Sequence, residues 1–296
     1  DELAAFLDDT LARFADWLHR IAQLHRARDA SINALSFPYG GFRRGQRELA
    51  ELVYKCVDQR GQLLLEAPTG TGKTAAVLFP ALKALAKGKH DRVIFLTCKS
   101  VGRRAAQDAL ADFAEAGYRG ASLSLTAREK ICFSPGRACH GDDCPYARNY
   151  YDKLPLAMQA AIAQGVLRRE DLEALASRFE LCPYELTLDL LPWVDVIIAD
   201  LHYVYSLSAR LGSAMETDGS RWTVLLDEAH NLPGRARDMY SATLAKATVL
   251  QARSTVSGEL AKCLTRINHQ LLALQNHPWH ETDFDTSENP PLALLD

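Results

Sequence analysis

Apolar residues recur along the chain in two alternating rhythms. Leu7, Leu11, Phe14, Leu18 and Ile21 follow one another at intervals of four and three, which gathers them on one stripe of a helix. The stripe predicts a helix over roughly 3–30, acting as a packing helix or a link to something upstream. Phe37–Pro38–Tyr39–Gly40–Gly41 then breaks it. Short apolar runs come next at Gln62–Ala67, Val93–Thr97, Val194–Ala199 and Thr223–Leu226, each the length of a buried strand. Helical composition follows the first two, over Ala75–Ala86 and Arg103–Ala116. Strands alternating with helices predict an α/β fold, a parallel sheet with helices on both faces. Residues 129–190 interrupt the rhythm with Cys, Pro and Arg, as an insertion would. From residue 240 the pattern turns helical over Ala242–Leu250 and Glu259–Leu274, then dissolves into a loop over Asn276–Pro291.

Two motifs sit where this rhythm passes from strand to helix or loop. Ala67–Pro68–Thr69–Gly70–Thr71–Gly72–Lys73–Thr74 fits the phosphate-loop pattern, with Ala in place of its first Gly. Gly70 and Gly72 let the backbone curl so that successive amides face phosphate oxygens. Lys73, at the start of the next helix, reaches the β- and γ-phosphates, and the Thr74 hydroxyl ligates Mg²⁺. The helix's positive end adds to the anion site. The bland alternative is a Gly-rich turn with an incidental lysine, but the strand before it and the helix after it favour ATP. The second motif, Val224–Leu225–Leu226–Asp227–Glu228–Ala229–His230, is an apolar strand ending in paired carboxylates. Beside a phosphate loop, Asp227 holds Mg²⁺ through its water shell and Glu228 orients or deprotonates the attacking water. His230 is placed to sense the γ-phosphate.

Charge and cysteine usage add a third element. The formal net charge is −3, which excludes a globally basic nucleic-acid binder. Between Arg92 and Arg169, however, twelve Lys and Arg stand against seven Asp and Glu, so one segment is suited to phosphate. No secretory signal or stretch of 18 apolar residues is present, so no membrane partner is expected. Seven cysteines in a chain of this size point to a reducing compartment and to metal chemistry rather than bridges. Cys132, Cys139, Cys144 and Cys182 lack the Cys-x2-Cys pairs of zinc fingers. Their spacing favours a [4Fe–4S] cluster, with tetrahedral zinc and unliganded thiols as the other readings. Cys-Pro-Tyr occurs at both 144–146 and 182–184, suggesting two similar ligand turns. Cations around them, among them Arg128, Lys130, Arg137 and Arg148, are interleaved with Tyr146, Tyr150 and Tyr151, as single-strand binding requires. Cys56, Cys98 and Cys263 read as core.

The order of phosphate loop, Thr97–Cys98–Lys99–Ser100, four-Cys insertion and Asp227–Glu228–Ala229–His230 resembles the first motor lobe of XPD/DinG-type superfamily 2 iron–sulfur DNA helicases, over roughly residues 37–240. The resemblance implies a RecA-like lobe in two parts (37–128 and 191–239) around an iron–sulfur insertion (129–190). An N-terminal helix and linker (1–36) would precede it, and the start of a helical arch domain (240–296) would follow. It implies that Tyr39, Arg43 and Gln46 belong to an adenine-reading motif. Thr97, Lys99 and Ser100 would grip the DNA backbone, Arg128 and Lys130 would lead into the first cluster ligand, and His202 and Tyr203 would lie near the strand. It further implies ATP-dependent 5′–3′ unwinding of single-stranded or forked DNA, and a role in DNA repair. The cysteine spacing differs from that of XPD itself and points to a DinG-like or nuclease-linked branch, with a nuclease domain upstream. The missing initiator Met and the abrupt end at Leu295–Asp296 suggest a piece of a longer enzyme. The second motor lobe, which supplies an arginine finger, would then lie outside this chain, and the piece alone would hydrolyse ATP weakly. Alternatives are an ATP-switched nucleic-acid binder without processive unwinding, and a P-loop ATPase that acts on protein complexes. High Ala, Leu and Arg usage suggests a bacterial, cytoplasmic and nucleoid-associated protein.

Overall fold

The computed structural model describes residues 2–68, 70–206 and 209–275. The chain divides into two compact units, one ending at Met239 and one beginning at Tyr240.

The first unit opens with helix α1 (Glu2–Ala34), followed by α2 (Gln46–Asp58) and α3 (Lys73–Ala86). Strand β1 (Arg92–Leu96) leads into α4 (Ser100–Glu115) and β2 (Ser122–Ser124). Four helices and one short strand follow: α5 (Arg128–Ile131), α6 (Tyr150–Gln164), β3 (Val166–Leu167), α7 (Arg169–Phe179) and α8 (Pro183–Leu190). The unit closes with β4 (Val196–Ala199), α9 (His202–Tyr205), α10 (Arg210–Thr217), β5 (Trp222–Leu226) and α11 (Leu232–Met239).

The strands form one sheet in the order β3-β2-β4-β1-β5, and every pairing is parallel. Both faces are covered, and alternation along the strands shows by what. Val93, Phe95, Val196 and Ile198 point to a core shared with Ile32, Leu78, Leu82, Leu110 and Phe113 of α1, α3 and α4. Ile94, Leu96, Ile197 and Ala199 point the other way, into a core with Ala157, Ile162, Leu172, Leu186 and Leu190 of α6, α7 and α8. Helices of the 129–190 interval thus supply the second layer of the sheet.

Parallel strands bring their carboxyl ends to one edge. Registers Leu96↔Ala199 and Leu96↔Leu226 put the Thr97, Asp200 and Asp227 turns side by side there, where α/β sheets bind their ligands.

Two expectations for the first unit need correction. Gln62–Ala67 forms no strand, and Leu64 is 88% exposed. An apolar run becomes a strand only where a neighbouring ladder takes up its amides and carbonyls, and among the described residues none pairs with it. The stripe on α1 is not a packing face throughout. Leu7, Leu11, Phe14 and Leu18 are exposed, whereas Ile21 and Ile32 are buried. Helix α1 is held from its middle onward. Trp17 meets Trp193 edge-on at 5.2 Å, and Lys83 Nζ donates to the carbonyls of Ile32, Asn33 and Leu35 at the helix end. Strands β2 and β3 carry no sequence signal, being three and two residues long.

In the second unit, α12 (Lys246–Ser254) and α13 (Gly258–Gln275) pack as a helical pair with Val249 buried. The first of them starts later than expected, because Ala245 is extended (φ −90°, ψ 131°). The expected loop at Asn276–Pro291 lies outside the described residues.

Candidate functional site

The phosphate loop caps α3. Gly70 (φ 77°) and Gly72 (φ 73°) are left-handed with open space around Gly70, a conformation that costs glycine little. The loop is braced from within: Thr71 Oγ1 donates to the Pro68 carbonyl at 2.9 Å and Lys73 Nζ to the Ala67 carbonyl at 2.7 Å. Thr74 sits half-buried one residue on. Thr69 lies outside the described residues.

The residues before the loop reach it in part. Gln46 is buried at the start of α2 and donates to the Thr71 carbonyl at 2.7 Å, while its Oε1 accepts the Arg43 amide at 2.7 Å. Arg43 Nη1 reaches the Gly70 carbonyl at 3.4 Å. Tyr39 does not join them. Its hydroxyl donates to Asp112 Oδ2 on α4 at 2.6 Å, and burial followed by that bond pushes its pKa up.

The paired carboxylates stand at the tip of β5. The Asp227 amide donates to the Leu96 carbonyl at 2.9 Å, tying this tip to that of β1. Burial, then the charge of Glu228, raises the Asp227 pKa, whereas the ammonium groups of Lys73 and Lys99 act to lower it. Lys73 of the phosphate loop therefore lies within electrostatic reach of Asp227. Glu228 is left-handed (φ 55°), an uncommon state for a residue with a Cβ and one found at functional turns. The turn is held by Asn231, whose amide and Nδ2 donate to the Glu228 carbonyl at 2.9 and 3.0 Å. His230 Nδ1 lies 3.4 Å from Glu228 Oε2 and is solvent-facing. Asn231 was missed in the sequence because it completes a turn rather than a motif.

Beyond the tip of β1, the Thr97 hydroxyl contacts the Lys99 backbone at 3.3 Å, and α4 begins at Ser100. Cys98 packs against the core, and burial, then the charge of Asp200, pushes its thiol pKa up. Beyond the tip of β4, Asp200 Oδ1 accepts from His202 Nδ1 at 2.7 Å. A cavity of about 430 Å³ opens here, lined among others by Arg103, Lys130, Tyr184, His202 and Tyr203. Cations and rings share one hollow, the pairing that suits a single strand.

The four cysteines occupy loops around α5 and α8, and all are free thiols. Cys182 is half-buried. Burial raises its pKa, the amides of Glu185 and Tyr184 oppose this, and Cys132 lies near enough to add to the rise. The Cys182 amide donates to the Tyr146 carbonyl at 3.1 Å, which joins the two Cys-Pro-Tyr turns. The turns differ: Cys182 precedes helix α8, whereas Cys144 opens a turn closed by the Ala147 amide. Arg128 Nη2 donates to Cys139 Sγ at 2.9 Å. Among the described residues no three His, Cys, Asp or Glu side chains already surround one point as metal ligands. The backbone bond links only the Cys144 and Cys182 turns, and the four thiols stand on separate loops rather than about one point.

Comparison with known proteins follows the same elements. The DEAD_2 family model matches residues 98–249 and the DEAD/DEAH box helicase model matches residues 43–126. The chain is 22% identical over 224 residues to the general transcription and DNA repair factor IIH helicase subunit XPD of Dictyostelium discoideum, covering 66% of this chain and 29% of that protein. It is 24% identical over 256 residues to the human regulator of telomere elongation helicase 1, covering 67% and 20%. The chain thus spans less than a third of the length of these two relatives, both eukaryotic. Among solved structures, a truncated XPD superposes with a TM-score of 0.51 at 21% identity, over 75% of this chain and 65% of that one. An XPD helicase superposes with a TM-score of 0.50 at 18% identity, over 78% and 41%.

Proposed function

The chain belongs to the DEAD_2 family, among the XPD-type helicases of superfamily 2, and from that premise we propose that it is the ATP- and Mg²⁺-binding first lobe of an ATP-dependent DNA helicase. The observation that supports the proposal is that α3, which begins at Lys73, packs on β1 and β5, and that Asp227 and Glu228 directly follow β5. Lys73 leaves the Ala67 carbonyl for the β- and γ-phosphates, and the loop amides and the α3 dipole take the remaining charge. Thr74 and Asp227 hold Mg²⁺, which neutralises charge building on the phosphate oxygens when bound. Glu228 positions the attacking water and accepts its proton, and His230 relays the state of the γ-phosphate. Arg43 and Gln46 read the base.

Single-stranded DNA is held by Lys99 and Ser100, with buried Thr97 bracing the Lys99 backbone beneath them, and by the hollow of Lys130, His202 and Tyr203. Cys132, Cys139, Cys144 and Cys182 hold a [4Fe–4S] cluster, with Arg128 beside Cys139. Residues 129–190 carry the cluster cysteines on their loops, while their helices and β3 also belong to the lobe's own sheet and core, and residues 240–296 are the start of an arch domain. Movement is 5′ to 3′. An arginine finger contributes roughly 10³–10⁵ in rate and comes from a second lobe of the full-length protein.

The test is nucleotide hydrolysis by the full-length protein with and without single-stranded DNA. Stimulation by the strand supports the reading, whereas hydrolysis indifferent to DNA overturns it in favour of an ATPase acting on protein complexes. Lys73→Ala should abolish nucleotide binding and spare the cluster. Cys139→Ser should remove a dithionite-bleachable brown colour and strand separation while sparing nucleotide binding. Protein prepared without oxygen that is colourless and contains zinc would overturn the cluster assignment.

A further inference from the structure

Gly102 lies in the first turn of α4, two residues after Ser100. Its φ is not positive, so the backbone alone does not ask for glycine, and glycine weakens a helix relative to alanine. What asks for it is space. A Cβ at this position would stand 2.4 Å from Thr97 Oγ1, 2.5 Å from Asp227 Oδ2 and 3.3 Å from Thr97 Cβ, well inside van der Waals contact. Thr97 is buried and its hydroxyl is engaged with the Lys99 backbone, so it has little room to retreat. The Asp227 carboxylate would have to turn away. A side chain at residue 102 would therefore displace the Asp227 carboxylate, Thr97 or the first turn of α4.

We propose that Gly102 is a positioning residue whose missing side chain seats the first turn of α4 directly against the Asp227 carboxylate, so that metal–nucleotide occupancy and the strand-gripping segment are read through one contact. The inference rests on the reading above, in which Asp227 holds Mg²⁺ and Lys99 and Ser100 grip the strand. Two sites that share one contact bias each other reciprocally. A strand that shifts the first turn of α4 moves the wall behind the metal's carboxylate, and a metal that draws Asp227 away frees that turn.

The experiment uses the full-length protein and measures binding of a fluorescent ATP analogue against Mg²⁺ concentration, with and without oligothymidylate. Gly102→Ala should raise the Mg²⁺ needed for half-maximal binding by roughly 10- to 100-fold, the range for disturbing the support of a metal ligand. Binding of the metal-free nucleotide should stay within about twofold, and the shift in affinity caused by oligothymidylate should vanish. Val101→Ala, at a neighbouring exposed position of the same turn, should leave all three quantities unchanged. Gly102→Ala with wild-type Mg²⁺ dependence and a wild-type strand effect overturns the proposal. Should that variant fold poorly, Asp227→Ala in the same chain should recover part of the lost melting temperature by removing one of the two colliding groups, Thr97 being the other, and strictly additive effects overturn the proposal. Asp227→Ala alone separates the two layers. If it abolishes Mg²⁺ dependence while Gly102→Ala is silent, only the positioning role fails. If it leaves Mg²⁺ dependence intact, the assignment of Asp227 fails and takes the positioning role with it.

Discussion

Gln46 donates from Nε2 to the Thr71 carbonyl at 2.7 Å, and a Cβ at Gly72 would lie 2.5 Å from the same nitrogen. The side chain lies flat on the phosphate loop, while its Oε1 takes the Arg43 amide. One buried amide group thus fixes the loop and the residue that would read the base.

Gln46→Ala leaves the Thr71 carbonyl and the Arg43 amide without this partner, an omission that costs about 1–3 kcal/mol where the groups stay buried. ATP affinity should fall by about tenfold, with a smaller loss for GTP, so that discrimination between the two narrows. Competition binding with both nucleotides checks this. Equal losses for ATP and GTP would leave Gln46 as a brace of the loop only.

Asp227 carries a carboxyl held above its ordinary value, by burial first and Glu228 second. The sign follows from linkage. As pH rises past the ordinary carboxylate value the unfolded chain ionises this group while the fold resists, so stability falls through that window and the cost persists at neutral pH. Asp227→Asn should therefore raise the melting temperature by about 2 °C while abolishing Mg²⁺-promoted nucleotide binding. Calorimetry at pH 7.5 beside a binding titration reads both. A lowered melting temperature would show that the carboxylate stabilises the fold.

The sequence disclosed those parts of the site that are contiguous in the chain. Gly70–Thr74 and Asp227–Glu228 are local patterns, and β1 and β4 are buried runs rich in Val, Ile and Leu, whereas β5, expected to be buried as well, is an edge strand with Val224 exposed. What it withheld depends on distant partners. Nothing around Gly102 indicates that Asp227, 125 positions later, will pack against it. Asp112 looks like the solvated face of a helix, yet it takes the Tyr39 hydroxyl away from the loop. Leu63–Leu65 has the composition of a strand and lacks the neighbour that would make it one.

His90 is buried ahead of β1, bonded through Nδ1 to the Thr223 hydroxyl at 2.7 Å. Burial drives its pKa down to about 4, Asp91 pulls upward, and Arg221 and Arg28 push down. The neutral ring is the folded form, so its contribution is complete above the ordinary histidine value near 6.5 and is lost as pH falls towards 4. Between pH 7.5 and 5 the loss should be about 2 kcal/mol. Urea melts at the two pH values measure it, and His90→Gln should flatten the difference. A slope that survives the substitution would assign it to other groups, such as His25, which burial also lowers.

Arg28 and Asp195 form a buried ion pair between α1 and the start of β4. Asp195 also accepts the Ala121 amide at 2.7 Å through its other oxygen, so one carboxylate serves the helix and the strand beside it. Arg28→Met would leave that carboxylate buried without its cation, and a cost of about 3–5 kcal/mol is expected. Adding Asp195→Asn removes the stranded charge while an amide oxygen still receives the Ala121 N–H. The double variant should therefore be more stable than Arg28→Met alone. Asp195→Leu in place of Asn would orphan the Ala121 amide and forfeit about 1–3 kcal/mol of that recovery. Denaturant midpoints for the three chains rank them. A double variant no more stable than Arg28→Met would mean that α1 is held by its Ile21, Ile32 and Leu35 contacts rather than by the buried charge.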